Sequence, residues 1–501
     1  MQSIMSAIRS LLLGAGIAPL FLATAHAQID DSIRGAPSEA NHFIATPAGW
    51  RHPMTPWGEP DIQATLDMMQ ASRLPLERCA DRYSVRRLPT FLFGPEPGAG
   101  GGGSIARPCD MTKAWLTEEE YERRMQEWRS RADASRQALA EGDLGASIRT
   151  GLVDPNIPQR QTSLIVDPPT GLLPAITPEG KRRALEMRSG WTLPGENHTY
   201  DWATDFDSWD RCITRGMPSS MMPYRYNGGF RIMQAPGYVV FQLEMIHEAR
   251  VILTTDVAEL PPEIKQWMGE SRGHWEGTTL VVETTHYKEG PPMINLAVVG
   301  SPPGNRFPYS DRMKTTERIV RLNDDWWLYE ITTEDPVVLE RPFTVRYPMR
   351  NDPDYFMPEY ACHEDNTIVR NYIETNRYER THPTPIPEEP AEVSPEVADA
   401  LAGRWVGRPR VVTLDLDIEL EFEKRGDRTV VGRLVGTTLG EIDEPLRSVS
   451  IEGRSMRFEL PNWQPWGFAG ELTDEGEIVG VVSSVQGGVP VTFERASAAV
   501  R

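Results

Sequence analysis

Hydrophobic and polar positions alternate with a period of two from about Tyr224 onward, a pattern that predicts β-strands. Between Phe241 and Leu253, His247 falls on the same face as the aliphatic residues, whereas Glu244 and Arg250 fall on the opposite, polar face. The pattern predicts one half-buried strand over this stretch, with His247 directed inward.

Further strands follow at short intervals. Residues 279–287 place His286 on one face with Leu280, Val282 and Thr284. Residues 315–322 and 326–333 are predicted to form a hairpin that turns at Asn323-Asp324-Asp325. Two more short strands are predicted at residues 342–347 and 360–363. A mostly antiparallel sheet that closes into a barrel is the expected arrangement, because closure removes exposed edges.

A helical period occurs mainly in the N-terminal third. Thr117 and Glu120 have the spacing of a capping box, which predicts a helix that ends near Gly142. A second helix is predicted from Thr177 to Met187, with Pro178 at its first position. A short helical segment is also predicted over residues 261–268. The remainder of residues 28–190 is expected to be irregular, with a flexible glycine-rich loop at residues 98–104.

The C-terminal part is predicted to be a separate small β domain. A Pro/Glu-rich linker spans residues 383–396 and is followed by short strands with glycine-containing turns. The predicted division is a signal peptide (1–27), an irregular and helical segment (28–190), a central domain (191–382), the linker (383–396) and a C-terminal domain (397–501). The fold class is therefore mainly β, with a lipocalin-like antiparallel barrel, a smaller β domain and a partly helical N-terminal segment.

The N-terminus has the features of a secretory signal peptide. Arg9 precedes an apolar run from Leu11 to Thr24, and Ala25-His26-Ala27 resembles a cleavage site. An uncleaved membrane anchor is the alternative, but the run is short and is interrupted by glycine and proline. The sequence predicts a periplasmic or secreted protein without a membrane span. Its formal net charge of −20 disfavours binding to nucleic acid or anionic lipid.

Four cysteines in an exported chain permit three pairings. We favour Cys79 with Cys109, which closes a local N-terminal segment, and Cys212 with Cys362, which joins the start of the central β region to its end.

Motifs between about Ser163 and Arg377 carry a resemblance to known proteins. These motifs are LIVDPPTGLLPAITPEGKRR, GYVVFQLEMIHEARVI, SRGHWEGTTLVVETTHY and EYACHEDN. The region resembles a large group of exported bacterial proteins of unassigned function, so the resemblance implies positions rather than a reaction. It points to Glu244, His247 and Arg250, to Trp275-Glu276-Gly277, and to Cys362, His363, Glu364 and Asn366.

Two departures from that group are apparent. His286 and Tyr287 replace the Asn-Phe that is common in relatives, and Thr255 to Glu259 replace an Asp-Gly-Arg-Pro-His turn. The first departure adds a titratable side chain to the strand. The stretch from Leu401 to Ala496 is similar to small lipocalin-like β domains that accompany exported hydrolases, and this resemblance implies a fold only.

The candidate chemistry depends on scattered histidines and carboxylates, since neither a His-Glu-x-x-His motif nor a Walker loop is present. Imidazole and a buried carboxylate are suited to proton transfer. The predicted catalytic residues are His247, His286, His363, Glu244 and Glu364. The predicted substrate-binding residues are Arg250, Glu276, Tyr287 and Asn366. Histidines satisfied in the core, a Glu276 that only stabilises its turn, and an Arg250 paired with Glu244 or its neighbours are the structural alternatives.

The leading hypothesis is an exported enzyme that holds a small organic molecule in a β-barrel cavity and catalyses elimination, isomerisation or hydrolysis. No nucleotide cofactor is predicted, and a divalent metal bound by the three histidines and a carboxylate is a minority possibility. The alternative is a non-catalytic periplasmic carrier of an apolar ligand. The oligomeric state is not predicted.

Overall fold

The computed structural model describes residues 29–78, 110–142, 157–196, 198–224, 226–295, 298, 301–364, 366–383, 385–411, 414–461, 466–484 and 487–496. The predicted signal peptide, the glycine-rich loop and the predicted Cys79–Cys109 pair lie outside these ranges.

The first barrel confirms the predicted fold class. Its strands are β1 (Ala64–Asp67), β2 (Ile165–Asp167), β3 (Gly229–Ala235), β4 (Tyr238–Leu243), β5 (Ala249–Leu253), β6 (Glu270–Glu276), β7 (Thr279–Thr285), β8 (Lys314–Arg321), β9 (Trp326–Glu334) and β10 (Phe343–Asn351). Nine strands, β1 and β3 to β10, follow one another around the ring, and β1 pairs with β10 to close it. Neighbours are antiparallel except for β5 and β6, which are parallel, and β2 adds to β10.

The register of the strands determines which side chains face the interior. Thr284 lies opposite Ser271 on one side and Thr315 on the other. Large aromatic side chains that are fully buried fill the space, among them Phe230, Phe241, Trp327, Tyr329 and Tyr347. Burying one such side chain stabilises the fold by about 1.5–3 kcal/mol. The interior of this barrel is therefore a packed core.

The N-terminal segment contributes more to this barrel than its irregular sequence suggested. Strands β1 and β2 come from it, and Ile29 is completely buried against Val320, Leu322 and Leu328 on the outer surface of the sheet. Its helices are α1 (Glu118–Ala140) and α2 (Pro178–Glu186). The predicted capping box is confirmed, because Thr117 and Glu120 cap each other's backbone N–H. Pro178 is the first residue of α2, as predicted, and the Thr177 hydroxyl accepts from the N–H of Gly180.

The predicted β8–β9 hairpin is also confirmed. The carbonyl oxygen of the Asn323 side chain accepts the N–H groups of Asp325 (2.9 Å) and Trp326 (3.0 Å) and fixes the turn.

Three predicted elements of this region are wrong. The stretch from Phe241 to Leu253 is two strands joined by a tight turn, because Ile246 and His247 adopt positive φ angles of 58° and 44°. Residues 261–268 form turns instead of a helix, and Gln266 bridges to Tyr287. Residues 360–363 form a turn instead of a strand.

The C-terminal part forms a second, nearly closed barrel. Its strands are β11 (Ala391–Glu392), β12 (Gly403–Gly407), β13 (Arg410–Val411), β14 (Leu414–Asp415), β15 (Ile418–Arg425), β16 (Thr429–Thr437), β17 (Gly440–Pro445), β18 (Arg447–Glu452), β19 (Ser455–Leu460), β20 (Trp466–Leu472), β21 (Ile478–Ser484) and β22 (Gly487–Arg495). The spatial order is β11, β16, β15, β12, β22, β21, β20, β19, β18, with β17 beside β16. Strand β11 lies within the predicted linker.

Two further helices and several 3₁₀ turns complete the fold. The helices are α3 (Ile368–Thr381) and α4 (Pro395–Leu401). The 3₁₀ turns span Asp31–Ile33, Met68–Ala71, Ala203–Asp205, Ser219–Met221, Met245–His247 and Pro303–Asn305. No helix within the described ranges is both long and apolar enough to cross a membrane.

The two barrels pack against each other through the segment that follows α2. Leu193 is buried in the core of the second barrel, and the indole N–H of Trp466 donates to the carbonyl of Thr192 at 3.1 Å.

Candidate functional site

The turn between β4 and β5 carries the first of the predicted catalytic residues. Glu244 is buried, and its carboxylate accepts hydrogen bonds from the side chain of Asn227 (2.8 Å), the N–H of Gly229 (3.0 Å) and the hydroxyl of Tyr355 (2.5 Å). Three donors to one buried carboxylate hold this turn against the loop that follows β10. Glu244 therefore has a clear structural role in closing this end of the barrel.

His247 lies on the same turn but not where the alternation placed it. The prediction that it faces the interior is wrong, because the left-handed residues of the turn rotate its side chain to the exposed surface. Its Nδ1 atom lies 2.9 Å from the carbonyl oxygen of Tyr360. Since a carbonyl can only accept, Nδ1 carries the proton and Nε2 of the neutral ring carries the lone pair.

The turn at residues 360–366 is held next to His247 by the predicted disulfide. Cys212 and Cys362 are bonded, with their Cα atoms 5.6 Å apart, which confirms this pairing. The amide of Asn366 donates to the carbonyl of Asp210 at 3.0 Å, so this predicted substrate-binding residue holds the same turn. His363 and Glu364 are exposed on it.

A buried arginine lies under this surface. Arg215 is completely buried, and its guanidinium lies 3.9 Å from the ring centroid of Tyr224 and 5.1 Å from that of Trp209. Its Nη2 atom donates to the side chain of Asn295 at 2.9 Å. Burial lowers the pKa of this guanidinium, while Tyr224, the exposed Tyr226 and the carboxylate of Glu248 act to raise it.

Glu248 follows His247 directly and was not predicted as a site residue. Its carboxylate accepts hydrogen bonds from the hydroxyls of Thr214 and Ser220, the latter at 2.7 Å. Burial raises the pKa of Glu248 in spite of these donors. A carboxyl with a raised pKa is suited to proton transfer near neutral pH. We call the group Arg215, Tyr224, Glu244, His247, Glu248 and Tyr360 the rim site.

A surface pocket of about 300 Å³ adjoins the rim site. It is lined by Asp67, Gln70, Asp325, Arg350, Asn351, Asp352, Pro353 and Asp354. Burial raises the pKa of Asp67, and the negative charges of Asp352 and Glu244 contribute to the shift. The lining is mainly acidic and would repel an anion.

Arg250 and Tyr287, which were predicted to bind substrate, belong to a polar network in the interior of the barrel. Arg250 was expected on the polar outer face, but the β4–β5 turn shifts the alternation by one position and directs it inward. It forms two hydrogen bonds with Glu317, and Tyr329 donates to the same carboxylate at 2.7 Å. The hydroxyl of Tyr287 lies 2.6 Å from that of Thr315. These contacts are internal, so the network is a structural centre of the barrel.

His286 does not join the other histidines. The prediction that it shares a face with Thr284 is wrong, because β7 ends at Thr285 and His286 has a φ angle of 58°. Its Nδ1 atom lies 2.9 Å from the Thr285 hydroxyl and 3.4 Å from the carboxylate of Glu270. Glu270 alternates with the inward-facing Ser271 along β6, so His286 lies on the outer side of the sheet.

Glu276 serves the Trp-Glu-Gly turn. It is ion-paired with Arg318 and lies 3.3 Å from the imidazole of His274. The next residue, Gly277, has a φ angle of 60° and is in close contact with the carboxylate of Asp31, which also accepts the N–H of Thr278 at 2.9 Å. The turn therefore fastens the N-terminal segment to the barrel, as the structural alternative for Glu276 proposed.

One sequence pattern near this turn was missed. Residues 269–273 read Gly-Glu-Ser-Arg-Gly and match the Gly-x-Ser-x-Gly motif of serine hydrolases. Ser271 lies inside the barrel on β6, where its hydroxyl contacts Thr284 at 3.0 Å and Arg250 at 3.0 Å. Ser271 lies within a strand and not at a strand-to-helix turn, so its hydroxyl is not exposed as that of a nucleophilic serine would be.

Within the ranges that the structure describes, no group of three or more His, Cys, Asp or Glu side chains is arranged to hold a metal ion. The described residues therefore add no support to the minority prediction of a divalent metal. Elemental analysis of the untagged protein tests that prediction. The chain matches no protein-family model, and no curated protein is significantly similar to it. The resemblance to exported bacterial proteins stays a prediction.

Proposed function

We propose that this protein is an exported enzyme that binds a small organic molecule at the rim site and acts on it by acid–base chemistry. The observation that carries the proposal is the contact between Nδ1 of His247 and the carbonyl of Tyr360 at 2.9 Å. This contact fixes the tautomer of the neutral ring and presents the lone pair of Nε2 at the exposed surface, as a general base requires.

Glu248 is the proposed acid. It is adjacent to His247 in the chain, and burial raises its pKa, so it retains a proton at higher pH than an exposed glutamate does. A base and an acid on one turn can remove a proton at one atom of a substrate and supply one at another. That chemistry is common to eliminations and isomerisations.

A non-catalytic carrier is the second candidate. Trp209, Tyr226 and Tyr360 are partly or largely exposed around the rim site, and such aromatic surface favours binding of an apolar ligand without any chemistry.

Profiling of metabolites from the source organism, incubated with the mature protein, tests the proposal. The wild-type protein should deplete at least one compound, and His247→Ala should slow that depletion roughly 10²–10⁴-fold. His274→Ala, which changes an exposed histidine on the outer face of β6, is the matched control and should act at the wild-type rate. Conversion by His247→Ala at the wild-type rate would contradict the role of His247. Binding without conversion by the wild-type protein would favour the carrier.

A further inference from the structure

The buried arginines of the first barrel differ in how their charge is balanced. Arg250, Arg306, Arg318 and Arg346 each lie within 4 Å of a carboxylate, on Glu317, Glu196, Glu276 and Glu330 respectively. Arg215 is equally buried, yet none of the described residues forms an ion pair with it. The Nε and Nη1 atoms of Arg215 also have no hydrogen-bond partner within the described ranges.

The charge of Glu248 acts on Arg215, but its carboxylate forms no ion pair with the guanidinium and instead accepts hydrogen bonds from Thr214 and Ser220. A guanidinium offers five N–H donors in a planar fork that matches a carboxylate, and burying it without an anion is costly. Arg78, which is also buried without a carboxylate within 4 Å, donates instead to the carbonyls of Met111 and Pro169, each at 2.9 Å. Among the described residues, the uncharged side chains of Asn295 and Tyr224 are the groups that act as hydrogen-bond partners of the Arg215 guanidinium.

The surroundings of Arg215 indicate the rest of the ligand. Trp209 and Tyr224 stack on the guanidinium. Tyr226 lies next to Tyr224, with ring centroids 6.5 Å apart, and is 49% exposed, so it connects the buried charge to the surface. The charge of Arg215 also acts on the hydroxyl of Tyr360, where it opposes the rise in pKa that burial causes. The carbonyl oxygen of Tyr360 contacts Nδ1 of His247. Aromatic rings on this path would pack well against a flat, apolar body.

We propose that Arg215 binds the carboxylate of an aromatic carboxylic acid, whose ring lies between Tyr226 and Tyr360. This inference rests on the proposed binding of a small molecule at the rim site, but it does not depend on catalysis by His247. The ligand enters past the exposed ring of Tyr226, and its carboxylate supplies the anion that none of the described residues places within ion-pair distance of Arg215.

Calorimetric titration of the full mature protein tests the inference with three probes: benzoate, its neutral counterpart benzamide, and inorganic phosphate. Benzoate should bind, and the affinity for benzamide should be lower by a factor of about 30 or more. Hydrogen bonds to a charged group discriminate by about that factor. This comparison uses the wild-type chain and needs no substitution in the core.

Variants then locate the site. Arg215→Gln should abolish the preference for benzoate over benzamide, provided that the Cys212–Cys362 bond and the circular dichroism spectrum match those of the wild type. Should that variant fail to fold, Tyr226→Ala at the half-exposed position should weaken binding of both ring compounds. Unaltered affinities in Tyr226→Ala would place the site elsewhere.

Three results with the wild-type protein would also overturn the proposal. Equal affinity for benzoate and benzamide would mean that charge is not recognised, and phosphate binding as tight as benzoate would mean a site for small oxyanions. No binding of any probe at millimolar concentration would exclude a carboxylate site at Arg215. Benzoate binding by the wild-type protein without conversion of any metabolite would leave this inference standing and would overturn the catalytic proposal alone. His274→Ala, on the outer face of β6, is the binding control and should bind benzoate as the wild type does.

Discussion

The guanidinium of Arg250 and the carboxylate of Glu317 form a doubly hydrogen-bonded ion pair inside the first barrel, where each side chain is only 1% exposed. The two bonds measure 2.9 Å and 2.5 Å. Ser271 and Thr284 accept from the same guanidinium at 3.0 Å and 3.2 Å, so both charges are well satisfied without solvent.

Removing one member of this pair should destabilise the protein strongly, because it leaves an uncompensated buried charge. We expect Glu317→Gln to lower the free energy of unfolding by about 3–5 kcal/mol. Chemical denaturation followed by tryptophan fluorescence measures this change. The exposed pair Lys314 and Glu283 is the control, and Glu283→Gln should cost less than about 1 kcal/mol.

The double variant Arg250→Met with Glu317→Leu removes both charges. It should be more stable than Glu317→Gln, since apolar replacement of a complete buried pair is often tolerated. A double variant that is less stable than the single one would show that the pair is favourable in itself.

The Cys212–Cys362 disulfide should stabilise the fold substantially because it links residues 150 positions apart. Replacing both cysteines by serine should lower the stability by roughly 2–5 kcal/mol. It should also release the 360–366 turn from His247, which hydrogen exchange at the amides of this turn would report. Unchanged exchange there would mean that Asn366 and Asp210 hold the turn alone.

Gly277 should tolerate no side chain. Its φ angle is 60°, and a Cβ atom would clash with the carboxylate of Asp31. We expect Gly277→Ala to cost about 1–3 kcal/mol in the thermal or chemical unfolding of the whole protein. Gly453 has the same φ angle with open space around it, so Gly453→Ala measures the backbone cost alone and should cost less.

Asp210 should make stability depend on pH. Burial, followed by the negative charge of Asp207, raises its pKa to about 7. The folded protein therefore holds a proton that the unfolded chain releases near pH 4, so this contribution is complete below about pH 4 and is lost as the pH rises through about 7. Asp210→Asn should flatten the stability profile between these values, by at most roughly 4 kcal/mol.

Asp205 provides a control of opposite sign for this measurement. Burial acts to raise its pKa, but hydrogen bonds from the N–H groups of Asp201 and Trp202 and the charge of Arg188 lower it overall. Its contribution is therefore present above about pH 4 and is lost on acidification, so Asp205→Asn should reduce stability at neutral pH. A profile for Asp210→Asn that parallels the wild type would contradict the assignment.

Local patterns in the sequence predicted the elements that depend on local interactions. The Thr117 capping box, the Asn323 turn and the alternation along β8 and β9 involve neighbours in the chain, and each was recognisable. The Cys212–Cys362 pair was favoured because it spans the β region. The barrel followed from the number of strands and from the need to satisfy their edges.

Residues with positive φ angles account for the errors in the predicted side-chain directions of the candidate site. Alternation predicts side-chain direction only while the strand continues, and a turn of a few residues can reverse the inward and outward faces. Ile246 carries no glycine or asparagine signal for positive φ, so the turn that exposes His247 and buries Arg250 was hidden. His286 is displaced for the same reason.

The partners of the buried charges were not predictable for a different reason. Glu317 is 67 residues from Arg250 and Asn295 is 80 residues from Arg215, so no local spacing connects them. Their meeting depends on the order and register of the strands, which a single sequence does not specify.

The parallel pairing of β5 and β6 allows a ring with an odd number of strands to close. A ring whose members alternate strictly in direction must have an even count, so nine strands can close only because one adjacent pair runs the same way. Because β5 and β6 run in the same direction, residues 254–269 must return to the end of the barrel at which β5 begins before β6 can start. On this return path the N–H of Leu260 reaches the carboxylate of Glu270, and the N–H of Gln266 reaches the carbonyl of His286. The contacts around His286 therefore follow from the closure of a ring that has an odd number of strands.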